Sequence, residues 1–147
     1  MKLPDWVQWQ RLYDTPEQVV AQRLLIVQRM IREFVASREC DAVKIVSVCV
    51  VFGNILDNDV HRTIDALPQF CARGATVIWT RHRGPPDLTP TIRGWFADAG
   101  FAELGFESTG AEAPRPGAFP AQSIGAHRWP RDPVPLELGK RLFTFFR

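Results

Sequence analysis

The ten-residue run from Val43 to Phe52, VKIVSVCVVF, constrains the fold more than any other segment of the sequence. It is apolar and β-branched almost throughout, which is typical of a central strand covered on both faces. Gly53-Asn54 ends the run, and a second apolar run, Ala75 to Thr80, follows a helical segment. Because strand–helix–strand order favours a right-handed parallel crossover, we expect these two runs to be adjacent parallel strands.

Three helices are predicted around these strands. The first begins at Thr15-Pro16, ends near Ser37, and carries one apolar stripe. The stripe consists of Val20, Leu24, Val27, Ile31 and Phe34. The second helix runs from about Asp57 to Cys71, and Pro68 is expected to kink or shorten its last turn. The third begins at Thr89-Pro90, ends at Gly100, and has four residues facing inward: Ile92, Trp95, Phe96 and Ala99.

The C-terminal third contains the remaining predicted strands. Phe101 to Glu107 alternates, with Ala102, Leu104 and Phe106 on one side, as expected of a strand near a sheet edge. Ser108 to Pro120 is rich in Gly, Ala and Pro and is predicted to be a loop. A strand from Ser123 to Trp129 then pairs back antiparallel, and a short strand from Leu142 to Phe146 follows.

Composition excludes several classes of protein. The formal net charge of +2 is too small for the basic face of a typical nucleic-acid domain. No apolar run reaches the roughly 18–20 residues that a membrane helix needs. The first residues lack the apolar segment of a secretory signal, so we expect a cytoplasmic protein. Three cysteines, Cys40, Cys49 and Cys71, lack metal-type spacing, so neither disulfides nor zinc are expected.

Several motifs resemble a family of small bacterial S-adenosylmethionine-dependent methyltransferases of class I. They are FGNI (52–55), GATVIWTRHR (74–83), PDLTP (86–90) and SIGAHR (123–128). The resemblance implies a truncated Rossmann-like α/β sheet with parallel strands and a C-terminal antiparallel hairpin. One domain would span 1–147, with a helical segment at 1–40, the sheet core at 43–129 and a tail strand at 130–147.

One part of the family's pattern is missing from this chain. In the family, the first strand leads into a Gly-rich turn, whereas Val43 to Cys49 continues directly into what resembles the end of the fourth strand. We infer that two strands are fused at about Cys49–Val50 and that the segment between them is deleted, or lost through a sequence error. That segment would supply the backbone amides and the ribose carboxylate that hold the cofactor. We therefore expect weak or absent binding of S-adenosylmethionine.

The resemblance also indicates candidate site residues. Phe52, Gly53 and Asn54 would line the cofactor, although Gly53-Asn54 could simply form a turn into the helix. Four other residues would bind the substrate: Tyr13, Arg23, Arg81 and His82. Tyr13 could instead be a packing residue. His82 is the candidate catalytic base.

Arg81-His82-Arg83 groups three potentially cationic side chains that could bind a carboxylate or phosphate. The alternative is a solvated loop. Of the other two histidines, His127 is expected to be a structural hydrogen-bonding residue. His61 is expected to have no function.

The implied function is methyl transfer from S-adenosylmethionine to a small-molecule acceptor. Methyl transfer is an in-line displacement that needs little from the protein beyond orientation of the reactants. The lack of an obvious catalytic dyad therefore does not exclude a methyltransferase. The alternative is an inactive methyltransferase remnant that acts as an interaction or dimerisation module. An open apolar edge beside the fused strand predicts a homodimer or poor solubility. No membrane or nucleic-acid partner is expected.

Overall fold

The structure, a computed structural model, describes residues 17–36, 52, 55–109, 120–139, 141–142 and 144. Its elements are α1 (Val19–Ala36), α2 (Asp57–Ala66), a 3₁₀ helix (Leu67–Phe70), β1 (Thr76–His82), α3 (Thr89–Asp98), β2 (Ala102–Thr109) and β3 (Gln122–Arg128). Most of the predicted strand Val43–Phe52 lies outside these residues. Of the predicted strand Leu142–Phe146, only Leu142 and Thr144 are described, and neither is in a strand.

The three described strands form a small, entirely antiparallel sheet in the order β1-β3-β2. The expected Rossmann-like sheet of parallel strands is therefore wrong. The expected antiparallel pairing of the last two strands is confirmed, because β2 pairs with β3 from Ala102 opposite Arg128 to Thr109 opposite Gln122. The predicted edge position of β2 is confirmed as well.

The position of β3 explains why the two strands joined by α3 do not pair with each other. The predicted pairing of Val43–Phe52 with Ala75–Thr80 lies mostly outside the described residues. Both β1 and β2 are antiparallel to β3, so they run in the same direction, as a strand–helix–strand crossover requires. They are not neighbours, however, because β3 returns after a long connection and lies between them. The crossover rule therefore agrees with the common direction of β1 and β2. It does not predict that a later strand, β3, inserts between them.

Helices cover both faces of the sheet. Side chains alternate along β1, so Val77, Trp79 and Arg81 face α2 and α3, whereas Ile78 packs on the side of α1. The core on the α2/α3 face contains twelve buried residues, among them Phe52, Trp79 and Phe96. The core on the α1 face has three fully buried members, which are Met30, Ile124 and Ala126.

The predicted helices are present with shorter ends. Asp57 starts α2 as expected, and the chain tightens into the 3₁₀ helix around Pro68, whose ring and missing N–H disfavour a further α-helical turn. In α3, Ile92 and Phe96 are fully buried, and Trp95 and Ala99 pack partly buried against the core. None of the helices in the described ranges combines the length and apolarity that crossing a membrane requires.

The alternation predicted for β2 is wrong, because a bulge interrupts it. The pairing with β3 shifts register between Glu103 and Gly105, which leaves Leu104 between the two registers and 38% exposed. Phe106 is half-buried against the core, and Ala102 is exposed. A single extra residue reverses which side the following side chains face, and sequence alternation alone does not reveal it.

A glycine in the central strand allows the largest core side chain to fit. The Trp79 indole lies over Gly125, and a Cβ at that position would be 2.5 Å from the indole nitrogen and 2.6 Å from Cζ2. The indole is 1% exposed and stacks on Phe96 at 6.0 Å between ring centroids. Burying a side chain of this kind contributes roughly 2–3 kcal/mol.

Candidate functional site

Arg81 is the central residue of the predicted site at the end of β1. Its guanidinium donates one hydrogen bond to the carbonyl oxygen of Phe52 and a second, of 3.1 Å, to Oδ1 of Asp57 at the start of α2. The side chain is 10% exposed, and its Nε has no hydrogen-bond partner in the structure. Two predicted site residues, Phe52 and Arg81, are thus in direct contact.

His82 ends β1 and faces the opposite side of the sheet from Arg81. Burial lowers the pKa of His82, and the neighbouring Arg81 charge lowers it further, so the ring is neutral at pH 7. Its Nδ1 accepts a hydrogen bond of 3.2 Å from the backbone N–H of Gly84. The proton of the neutral ring is therefore on Nε2. A role as base requires the Gly84 contact to break, because Nδ1 holds the only basic lone pair.

Arg23 reaches the same end of the sheet from α1. It donates a hydrogen bond of 3.2 Å to Oε1 of Gln122, and the Cα of Gln122 is opposite that of His82 in the sheet. Four predicted site residues therefore lie around one sheet end, which are Phe52, Arg23, Arg81 and His82. The other three, Tyr13, Gly53 and Asn54, lie outside the described residues.

The structure divides the Arg81-His82-Arg83 group. Consecutive residues of a strand face opposite sides, so Arg81 and His82 can share a ligand only across the end of the sheet. Arg83 forms a 2.8 Å ion pair with Asp87 and also contacts Ser108. The strand was predicted to end at Thr80, with a loop from Arg81, but β1 continues through His82.

Polar neighbours that the sequence analysis did not select complete this region. Thr89, the first residue of α3, shares a 2.8 Å hydrogen bond with the buried hydroxyl of Ser123. Asp87 accepts a hydrogen bond from the backbone N–H of Thr89, two residues further along the chain. The sequence does not indicate that Ser123 pairs with Thr89 or that Asp57 pairs with Arg81.

Phe52, a predicted cofactor residue that the structure describes, belongs to the core. The Phe52 ring is 2% exposed and packs against Trp79 and Phe96, so it belongs to the core rather than to a ligand surface. Its carbonyl oxygen is already bound by Arg81. Gly53 and Asn54, the other two residues predicted to line the cofactor, lie outside the described residues. The described residues hold no group of three metal-ligating side chains.

A second polar cluster lies at the opposite end of the sheet. Trp79 donates a hydrogen bond of 3.2 Å from its indole N–H to Nδ1 of the buried His127, which confirms the structural role predicted for this histidine. Burial lowers the pKa of His127 to about 4, so the ring is neutral. Glu103 and Arg93 flank it, joined by two hydrogen bonds of 2.7 Å.

Comparison with known proteins adds no relative. The chain matches no protein-family model, and neither the curated proteins nor the solved structures contain one with significant similarity to it.

Proposed function

We propose that the chain is a methyltransferase-like protein that keeps the acceptor side of the site and binds S-adenosylmethionine weakly or not at all. The observation that carries the proposal is that the three described residues assigned to the substrate, Arg23, Arg81 and His82, lie at one end of the sheet. Arg23 belongs to α1 and the other two to β1, which are far apart in the sequence. The Arg81 guanidinium also contacts the carbonyl oxygen of Phe52, whose ring belongs to the core.

The hydrogen-bond donors at this sheet end favour an acceptor that carries a negative group. Arg81 and Arg83 are largely balanced by Asp57 and Asp87, with which they form ion pairs. Arg23 supplies guanidinium N–H donors, and the neutral His82 offers an Nε2–H donor. A carboxylate or phosphate accepts hydrogen bonds from such groups. The contribution of these residues to methyl transfer would be to bind and orient the acceptor.

Calorimetry with S-adenosylmethionine tests the cofactor half of the proposal. We expect no binding with a dissociation constant at or below about 1 μM. Tight binding would contradict it and would show that the cofactor site has been misplaced. Asn54→Ala and Arg81→Ala would then be the first variants to compare.

Thermal melts with benzoate and inorganic phosphate test the acceptor half. We expect either anion to raise the melting temperature of the wild-type chain, and Arg81→Met and Arg23→Gln each to abolish the shift. Arg73→Met is the matched control, because Arg73 pairs with the exposed Asp132 away from the site. The proposed acceptor site would be contradicted if the anions did not raise the melting temperature of the wild type. It would also be contradicted if the increase persisted in both site variants.

The second candidate function is a dimerisation module, and an exposed apolar surface favours it. Phe70 is 52% exposed, Leu136 52% and Leu138 85%. The backbone N–H of Glu137 donates to the side chain of Gln69, which brings the two leucines to the 3₁₀ helix. We expect this surface to bind a second copy of the chain, because apolar patches exposed on a monomer commonly mark interfaces.

Light scattering across micromolar concentrations tests this candidate. A dimer that dissociates in Leu138→Ser but not in the control Leu25→Ser would support it, since Leu25 is also exposed, at 58%, but lies on α1. A monomer at every concentration would exclude it.

A further inference from the structure

A cleft of about 380 Å³ opens between α3 and β2, away from the end of β1. One side of α3 forms its first wall with Pro90, Arg93 and Ala97, and Phe101 and Glu103 form the second. His127, from the central strand, lines it as well. The cleft therefore combines apolar walls with three polar side chains, as small-molecule sites commonly do.

A hydrogen bond from Trp79 fixes the orientation of the His127 ring. Gly125 lets the Trp79 indole lie across the central strand, and that indole donates to Nδ1 of His127. An indole N–H can only donate, so Nδ1 must accept and the proton of the neutral ring must be on Nε2. The ring also stacks on Phe96 at 4.3 Å between centroids. His127 thus presents a fixed N–H donor beside Glu103.

Glu103 supplies the matching acceptor. Arg93 holds its carboxylate by two hydrogen bonds of 2.7 Å, and the hydrogen bond from Arg93 is the main reason that the pKa of Glu103 is lowered. The carboxylate is consequently ionised at pH 7. Its Oε2 is 3.6 Å from Nε2 of His127, which is too long for a direct hydrogen bond. One oxygen atom about 2.8 Å from each would bridge the two groups.

We propose that this cleft binds a small neutral molecule that carries a hydroxyl group on an apolar, ring-sized body. The hydroxyl accepts a hydrogen bond from Nε2–H of His127 and donates one to Oε2 of Glu103. A hydroxyl is suited to this place because the same oxygen is both donor and acceptor. The apolar body lies between Phe101 and the Pro90–Ala97 side of α3. An anionic oxygen is disfavoured at the position of the hydroxyl, because it has no proton to donate to Oε2 of Glu103.

The site is a binding site rather than a catalytic one. Neutral His127 has no lone pair available on Nε2, and its Nδ1 is bound to Trp79, so the ring cannot take a proton from the hydroxyl. The proposal is independent of the acceptor site at the end of β1, since the two share no residue. A variant that removes the acceptor site, Arg81→Met, is accordingly expected to leave this binding unchanged.

Phenol is the probe, and toluene is its control because it has the same number of non-hydrogen atoms and no hydroxyl. Binding is followed in ¹H–¹⁵N spectra of the whole chain through the indole N–H signal of Trp79, assigned by its loss in Trp79→Phe. We expect phenol to shift this signal saturably with a dissociation constant on the order of 1 mM. Toluene should bind about tenfold more weakly, since it forms neither hydrogen bond.

Two variants test the location. Ala97→Phe fills the cleft from an exposed helix position and should weaken phenol binding at least about tenfold, whereas Thr91→Phe, also exposed on α3, should not. Glu103→Gln keeps the shape of the side chain and should weaken phenol but not toluene. The proposal is overturned if phenol produces no saturable shift, which would leave a bridging water only. It is also overturned if phenol and toluene bind equally or if Ala97→Phe has no effect.

Discussion

The two faces of the sheet are built differently. On the α2/α3 face, aromatic rings contact one another in series: Phe52 is tilted against Trp79, Trp79 stacks on Phe96, and Phe96 meets Phe101 edge to face. On the α1 face, the described core is mainly aliphatic, although Phe34 packs against it, and α1 keeps Leu24 and Leu25 exposed. Tight packing of large rings leaves little room for relaxation, whereas a helix that packs mainly on aliphatic side chains can shift more easily. We therefore expect the packing on the α2/α3 face to contribute most of the free energy of unfolding.

Two matched isoleucine substitutions test this difference directly. Ile92 on α3 and Ile124 on β3 are both fully buried, but they face opposite cores. We expect Ile92→Ala to lower the free energy of unfolding by about 4 kcal/mol and Ile124→Ala by about 2 kcal/mol, because α1 can move to fill the second cavity. Urea unfolding measures both. Equal losses would show that the α1 core is packed as tightly as the other.

Gly125→Ala tests the same face through overpacking. The new methyl group would collide with the Trp79 indole, and we expect a loss of about 3 kcal/mol in the free energy of unfolding. The double variant with Trp79→Leu should recover part of that loss, since the smaller side chain leaves space for the methyl group. No recovery in a urea titration of the double variant would place the strain elsewhere.

His127 is buried on the α2/α3 face, so the stability of that face is expected to depend on pH. The pKa of folded His127 is about 4, below its ordinary value of about 6.5, so the unfolded chain binds an additional proton between these values. Its contribution to stability is therefore complete above about pH 6.5 and is lost as the pH falls toward 4. His127→Gln keeps an acceptor for Trp79 and cannot titrate. Between pH 7.5 and 5, urea midpoints should fall less for this variant than for the wild type.

The smallest effect is expected on the α1 side. Arg29 of α1 forms an exposed ion pair with Glu107 of β2, and hydrogen bonding to that carboxylate raises the pKa of Arg29. Exposed pairs of this kind contribute little, since water and salt screen them. Thermal melts of Arg29→Gln should match those of the wild type at any salt concentration. A clear drop at low salt would mean that this contact holds α1 in place.

Local patterns predicted the helices well and the sheet poorly. The start of α2, its tightening at Pro68, and the burial of Ile92 and Phe96 all follow from spacing and capping. The order of the strands depends on contacts between residues far apart in the sequence, which periodicity does not contain. The bulge after Glu103 and the insertion of β3 are both of this kind.

The candidate site shows the same division. Sequence and resemblance selected Arg23, Arg81 and His82, and the structure brings them to one sheet end. They did not show that Arg81 and His82 face opposite sides, because the strand was predicted to end before them. The cleft at His127 was missed altogether, since Arg93, Glu103 and His127 come from three elements and no short motif joins them.

The central place of β3 also sets the order in which the chain can fold during synthesis. β1 and β2 leave the ribosome first, and neither has its observed sheet partner until Gln122–Arg128 has been made. Until then both strands have unpaired backbone groups, which are sites for association with other chains. A nascent chain that stops before residue 122 should consequently need chaperones, and completion of the last strand would release it.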